Sequence, residues 1–155
     1  MGRAKQGGNV LTYGQMKQML DEIGDKRRLA NSLVRQIGQA REEADCLHGV
    51  NYSAMPSGGE QTPAAQRFVE KIERLEERLA AISDELTILE GAFEDAVGTL
   101  SPMEQTVVRE RFFLGKRWRT IQREMKYEEA QPYRIARSAI EKMAKSFKNS
   151  EGDSK

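Results

Sequence analysis

Between Ala65 and Ala96 every position of a heptad seam is apolar. Its a positions are Ala65, Ile72, Leu79, Leu86 and Phe93, and its d positions are Phe68, Leu75, Ile82, Leu89 and Ala96. Glu70, Lys71, Glu73, Arg74, Glu77 and Arg78 occupy the outer faces. Apolar residues recurring every 3.5 residues inside a charged sheath predict one long helix with a coiled-coil-like seam. At a rise of about 1.5 Å per residue it would be roughly 50 Å long. A large seam side chain contributes about 1.5–3 kcal/mol only when it is buried. The stripe therefore requires a partner helix, and the chain is expected to be all-α.

The nearest partner lies upstream. Counting from Met16, the a positions are Met16, Ile23, Ala30, Ile37 and Ala44, and the d positions are Met19, Lys26, Leu33, Ala40 and Leu47. Nine of these ten are apolar, which predicts a first long helix from about Thr12 to about Cys46. Gly24 and Gly38 weaken it by about 1 kcal/mol each relative to Ala without breaking the phase. Residues 48–62 are dominated by Gly, Pro, Ser and Asn and read as a loop. Thr62 and Pro63 then supply an N-cap and a first-turn proline for the second helix. The expected architecture is a long two-helix coiled-coil-like hairpin over 12–98, with a homodimer through the heptad helices as the alternative. Heptads alone allow both. Residues 1–11 are Gly-rich and polar and are expected to be disordered.

A different module follows. Gly98 closes the second helix, and Ser101-Pro102-Met103-Glu104 has the form of a capping box with proline at the first helical position. The helix that starts there carries Val107, Val108, Phe112 and Phe113 and stops at Gly115. A short helix with Trp118, Ile121 and Met125 on one side comes next, then a turn at Lys126-Tyr127. A last helix places Ile135, Ala139, Ile140 and Met143 inward, with Arg134, Arg137, Lys142, Lys145 and Lys148 mostly outward. Pro132 predicts that this helix starts near Gln131–Pro132, because a proline deeper in the helix would clash with the preceding turn. The module spans 99–148, and 149–155 is a polar, disordered tail.

The charges are divided the same way. The net charge is +1, yet residues 1–101 hold 12 Lys+Arg against 16 Asp+Glu, and residues 102–155 hold 13 against 8. An acidic helical stem thus precedes a basic module, and attraction to phosphate is expected of the last third only. Other chemistries find little support. One cysteine, Cys46, and one histidine, His48, cannot form a disulfide framework or a tetrahedral zinc cage within one chain. Gly7-Gly8 and Gly58-Gly59 lack the Lys-Ser/Thr sequel of a phosphate loop. No Ser/His/Asp or Cys/His set points to catalysis, so neither an enzyme nor a cofactor is expected. No apolar run is long enough for a membrane span or a secretory leader, and a cytoplasmic location is the expectation.

Three short helices in a basic segment, the last two joined by a tight turn, have the outline of a helix-turn-helix. From Leu100 to Met143 the segment resembles region 4 of bacterial sigma-70-type factors. Leu100-Ser101-Pro102 with Glu104 opens the first helix, and Val107, Val108, Arg109 and Phe112 follow its core pattern. Gly115 is the turn, Trp118 and Ile121 match apolar positions of the second helix, and Tyr127 precedes the recognition helix. Ile135, Ala139 and Ile140 match the closing pattern. With the upstream helical pair added, the whole chain resembles phage-encoded late transcriptional regulators of the ArpU/RinA type. That resemblance implies binding of double-stranded promoter DNA and activation of late genes in the cytoplasm of a bacterial host, with host RNA polymerase as a further partner. By motif position it assigns base reading to Glu129, Ala130, Gln131, Tyr133 and Arg134. Lys116, Arg117, Arg119, Arg123 and Arg137 are expected to contact phosphates, which attract cationic side chains whatever the sequence. The chain departs from the pattern at Gln122, where a small residue is usual, and at Lys126, where glycine is. Glu128-Glu129 and Pro132 are further departures. Two other functions share the outline, a small-terminase-like DNA-packaging adaptor and a structural coiled-coil protein that does not bind DNA.

Overall fold

The computed structural model describes residues 11–52 and 63–147, with backbone alone for 48–52. Most of the expected disordered start, the centre of the 48–62 loop with the Thr62 cap and Gly58-Gly59, and the 149–155 tail with Lys148 lie outside the described residues, as does the His48 side chain. The described residues form five α-helices: α1 (Tyr13–Tyr52), α2 (Pro63–Gly98), α3 (Pro102–Val108), α4 (Trp118–Glu124) and α5 (Gln131–Ser146). A π-helical turn, Arg109–Phe113, continues α3. Among the described residues there is no strand.

Helix α1 starts where its chemistry dictates. Gln15 N–H donates to Thr12 Oγ1 at 3.1 Å, and Thr12 N–H donates to Gln15 Oε1 at 2.9 Å, a reciprocal capping box. Its end departs from expectation. The helix runs to Tyr52 rather than Cys46, so the first five residues of the expected 48–62 loop are helical. Gly49 lowers helix propensity but keeps its amide, so the hydrogen-bond ladder need not stop there. The two long helices are antiparallel: Arg27 pairs with Glu90 and Arg41 with Glu76, the numbers rising in one helix as they fall in the other. This is the hairpin.

The chain divides into two compact units, and the division falls within the long helices rather than at residue 98. One unit is Leu29–Glu85. Here α1 buries Ala30, Leu33, Ile37 and Ala40. From α2, Ala65 is buried, whereas Phe68, Ile72, Leu75, Leu79 and Ile82 are each only half-buried. Two helices cover a seam from one side, so its flanks stay wet. Leu29, Val34 and Val69 are 46%, 54% and 40% exposed beside it.

The other unit joins Met1–Arg28 to Leu86–Lys155. Its core is closed. Met16, Leu20 and Ile23 of α1 and Leu86, Phe93, Ala96 and Val97 of α2 are buried together with Val107, Val108, Phe112, Phe113, Ile121, Ala139, Ile140 and Met143. The α1 seam here uses Leu20, fully buried, rather than the half-buried Met19. Helices α3 and α4 both pack on α5, and Phe147, just past α5, stacks on Phe93 with ring centroids 5.0 Å apart.

Glu104 fastens this unit. Ser101 N–H donates to Glu104 Oε1 at 3.1 Å, and Glu104 N–H donates to Ser101 Oγ at 3.2 Å, completing the capping box expected of Ser101-Pro102. The same carboxylate accepts from Ser138 Oγ at 3.1 Å and Lys142 Nζ at 2.9 Å, both on α5. Burial alone would raise its pKa. The Lys142 ammonium, the Ser101 amide and the Ser138 hydroxyl outweigh that and hold it below the usual glutamate value.

The π-helical turn sets the chain's exit from α3. Leu114 N–H donates to the Arg109 carbonyl at 2.8 Å, five residues back. The wider register turns both Phe112 and Phe113 into the core. Gly115 follows with φ +76°, and a Cβ there would lie 3.1 Å from Arg27 Cγ and 3.2 Å from Arg28 Cγ. Backbone conformation and close approach to α1 both require glycine.

Candidate nucleic-acid interface

Helix α4 ends in a Schellman motif. Tyr127 N–H donates to the Gln122 carbonyl at 2.9 Å, Lys126 N–H donates to the Arg123 carbonyl at 3.3 Å, and Lys126 has φ +57°. The lysine at the turn position adopts the left-handed conformation for which glycine is usual. Residues 127–130 then lead into α5. Its N-cap, Ala130, has no side chain able to accept a hydrogen bond. Gln131 acts backward instead: its Oε1 accepts from Glu128 N–H at 3.3 Å. Pro132 sits in the first turn of α5, where the missing N–H has no helical acceptor to lose, and its ring is fully buried. The start of α5 at Gln131 is the one the proline predicts.

This α4–turn–α5 surface forms an open groove of about 620 Å³ lined by Arg119, Gln122, Arg123, Lys126, Tyr127 and Glu129. Of the residues assigned by sequence, it brings together Arg119 and Arg123, one helical turn apart on α4, with Glu129. Arg119, Arg123, Lys126 and Glu129 are exposed, while Gln122 and Tyr127 are half-buried. Among the described residues no salt bridge engages Arg119, Arg123 or Lys126. Three cations beside two hydrogen-bonding side chains can hold a phosphodiester backbone and present Gln122 and Glu129 to base edges.

Other assigned residues stand elsewhere. Lys116 is engaged by Glu110 at 2.5 Å and Glu124 at 2.7 Å. These two carboxylates raise its pKa and offset its charge locally. Arg117 is exposed at the N-cap of α4 and does not line the groove. Ala130 and Arg134 are exposed, and Gln131 is half-buried. Tyr133 and Arg137 border a second, more enclosed cavity: Tyr133 stacks on Trp118 at 4.6 Å, and the Arg137 guanidinium lies 5.6 Å from the Tyr13 ring centre. Arg137 Nε is also 3.9 Å from Glu141.

Motif position alone did not assign Gln122, Lys126 or Tyr127 to the interface. Lys126 carried a signal, a charged residue where the turn favours glycine. Among the described residues, no three His, Cys, Asp or Glu side chains are grouped to hold a metal ion, and no helix is long and apolar enough to cross a membrane. No protein-family model, curated protein or solved structure matches the chain.

Proposed function

We propose that this chain is a sequence-specific DNA-binding transcriptional regulator, a phage or prophage late-gene activator that works with host RNA polymerase. The observation that carries DNA binding is the groove in which Arg119, Arg123 and Lys126 line one face of α4 and its turn, beside Glu129 but with no salt bridge among the described residues. In this reading α4, the Lys126 turn and α5 act as a helix-turn-helix, with α5 entering the major groove. Arg119, Arg123 and Lys126 hold phosphates, while Glu129, Gln122 and Arg134 face base edges, Glu toward a cytosine amino group and Arg toward guanine. The polymerase partner and the late-gene role rest on the resemblance of the whole chain to phage late regulators of the ArpU/RinA type, of which the likeness of Leu100–Met143 to sigma region 4 is a part.

A salt series of duplex binding tests this. Each phosphate contact contributes about 0.9 to the slope of log affinity against log salt, so Arg123→Ala lowers the slope by about one. Lys116→Ala changes it by much less, because Glu110 and Glu124 already engage that ammonium. Equal slopes for both variants and the parent would reject the groove as the interface. The half-buried seam of the Leu29–Glu85 unit favours one competing reading, the packaging adaptor. That reading predicts a high-order ring by light scattering, whereas the regulator is a monomer or dimer.

A further inference from the structure

Where α1, the π-helical turn, α4 and α5 meet, a partly enclosed cavity of about 100 Å³ has walls of Tyr13, Phe112, Trp118 and Tyr133, with Lys17, Arg111, Arg137 and the carboxylate of Asp21 at its edge. Arg111 is held rigidly. Its guanidinium lies over the Trp118 ring, 4.7 Å from the centroid, and its Nη1 donates to the Lys116 carbonyl at 3.0 Å. Trp118 is fixed in turn by Phe112, edge-on at 6.5 Å, and by Tyr133 at 4.6 Å. Nη1 of Arg111 is thus engaged and one face of its guanidinium covered. Its Nε is buried and has no acceptor among the described residues. A buried guanidinium N–H without an acceptor calls for a specific explanation, and a carboxylate oxygen is a strong acceptor for it.

The electrostatics agree with an anion. Burial first, and the nearby Arg28 second, push the Arg111 pKa down, against smaller opposing effects of Asp21, Tyr133 and Asp25. Lys17 is paired with Asp21 at 2.8 Å, and the contact between Arg137 and Glu141 is long. The cavity therefore combines aromatic walls with an edge at which three cations, Lys17, Arg111 and Arg137, outnumber the one carboxylate, Asp21. Bare inorganic anions gain nothing from aromatic walls, and neutral rings leave Arg111 Nε–H unpaired.

We propose that this cavity binds a small planar carboxylate, its ring among the aromatic walls and its carboxylate on the Nε–H of Arg111. The assignment goes beyond DNA binding and does not depend on it. The test uses the full chain without DNA, titrated calorimetrically with benzoate, benzamide and inorganic phosphate as separate probes. Saturable one-to-one binding of benzoate, at least tenfold tighter than either other probe, is the expected result, with Arg111→Gln weakening it at least tenfold. In the unmodified chain the Arg111 Nε–H proton resonance should move as benzoate binds, a readout that needs no variant to fold. An unmoved Arg111 Nε–H resonance, no saturation with benzoate, or phosphate binding as tightly as benzoate would overturn the proposal.

Discussion

Glu104 is the residue whose removal should most sharply expose how the C-terminal unit is held. Its carboxylate closes the capping box of α3 and accepts from Ser138 and Lys142 of α5. Loss of an N-terminal capping interaction costs about 1 kcal/mol. The hydrogen bond to Ser138 contributes about 1 kcal/mol. The Lys142 ammonium is 56% exposed, so its pairing is screened and is worth about 0.5 kcal/mol. Glu104→Ala should therefore destabilise the fold by about 2–3 kcal/mol, and Glu104→Gln, which can keep the cap, by about 1 kcal/mol. Urea unfolding followed by circular dichroism reads both. The pH dependence gives a second check. Because the folded pKa lies below the unfolded one, the unfolded chain binds more protons between the two values, and stability falls as pH drops through that window. The stabilisation from the charged carboxylate is complete above the unfolded value of about 4.3 and gone below the folded value. The gap between parent and Glu104→Gln should thus be present at neutral pH and close on acidification below that window. A gap unchanged down to strongly acid pH, or an Ala variant within about 0.5 kcal/mol of the parent, would refute the reasoning.

Two further outcomes follow from the geometry. Lys126 sits at φ +57°, a conformation that costs a non-glycine residue about 1–2 kcal/mol, against about 0.5–1 kcal/mol of chain entropy for glycine. Lys126→Gly should raise stability by up to about 1 kcal/mol in thermal melts while lowering the salt slope of DNA binding by about one. On the seam, Leu86→Ala should cost about 2–5 kcal/mol, as for a buried leucine, and Leu75→Ala, half-buried, about 1–2 kcal/mol. Equal losses in denaturant unfolding, together with a dimer by light scattering, would mean that a second copy covers the seam.

The long helices were legible because the heptads and caps report local geometry: Thr12, Ser101 and Pro132 each mark a helix start that the structure keeps. The depth of burial was not. A heptad identifies residues that face a partner, but not how many partners surround them, so Leu75 and Leu86 look alike in sequence and differ in the fold. The site was legible in part. Arg119 and Arg123 share a helical face by their spacing, and Lys126 stood out as a departure. Lys116 could not be sorted from them, because Glu110 and Glu124 reach it only after the Gly115 turn folds the chain back. The Arg111–Trp118–Tyr133 stack was hidden for a similar reason. It depends on a π-helical register, and the 3.6-residue period used to read helices does not contain one.

Trp118 is the chain's single tryptophan, and it belongs to the unit that joins Met1–Arg28 to Leu86–Lys155. The molecule thus carries a native optical label for one half of itself. Indole emission will follow that unit alone, whereas far-ultraviolet ellipticity sums the helices of both. If the less buried Leu29–Glu85 unit melts first, the two signals will have separate midpoints, and that unit can be loosened or truncated while the emission of the unit that holds Trp118 stays unchanged.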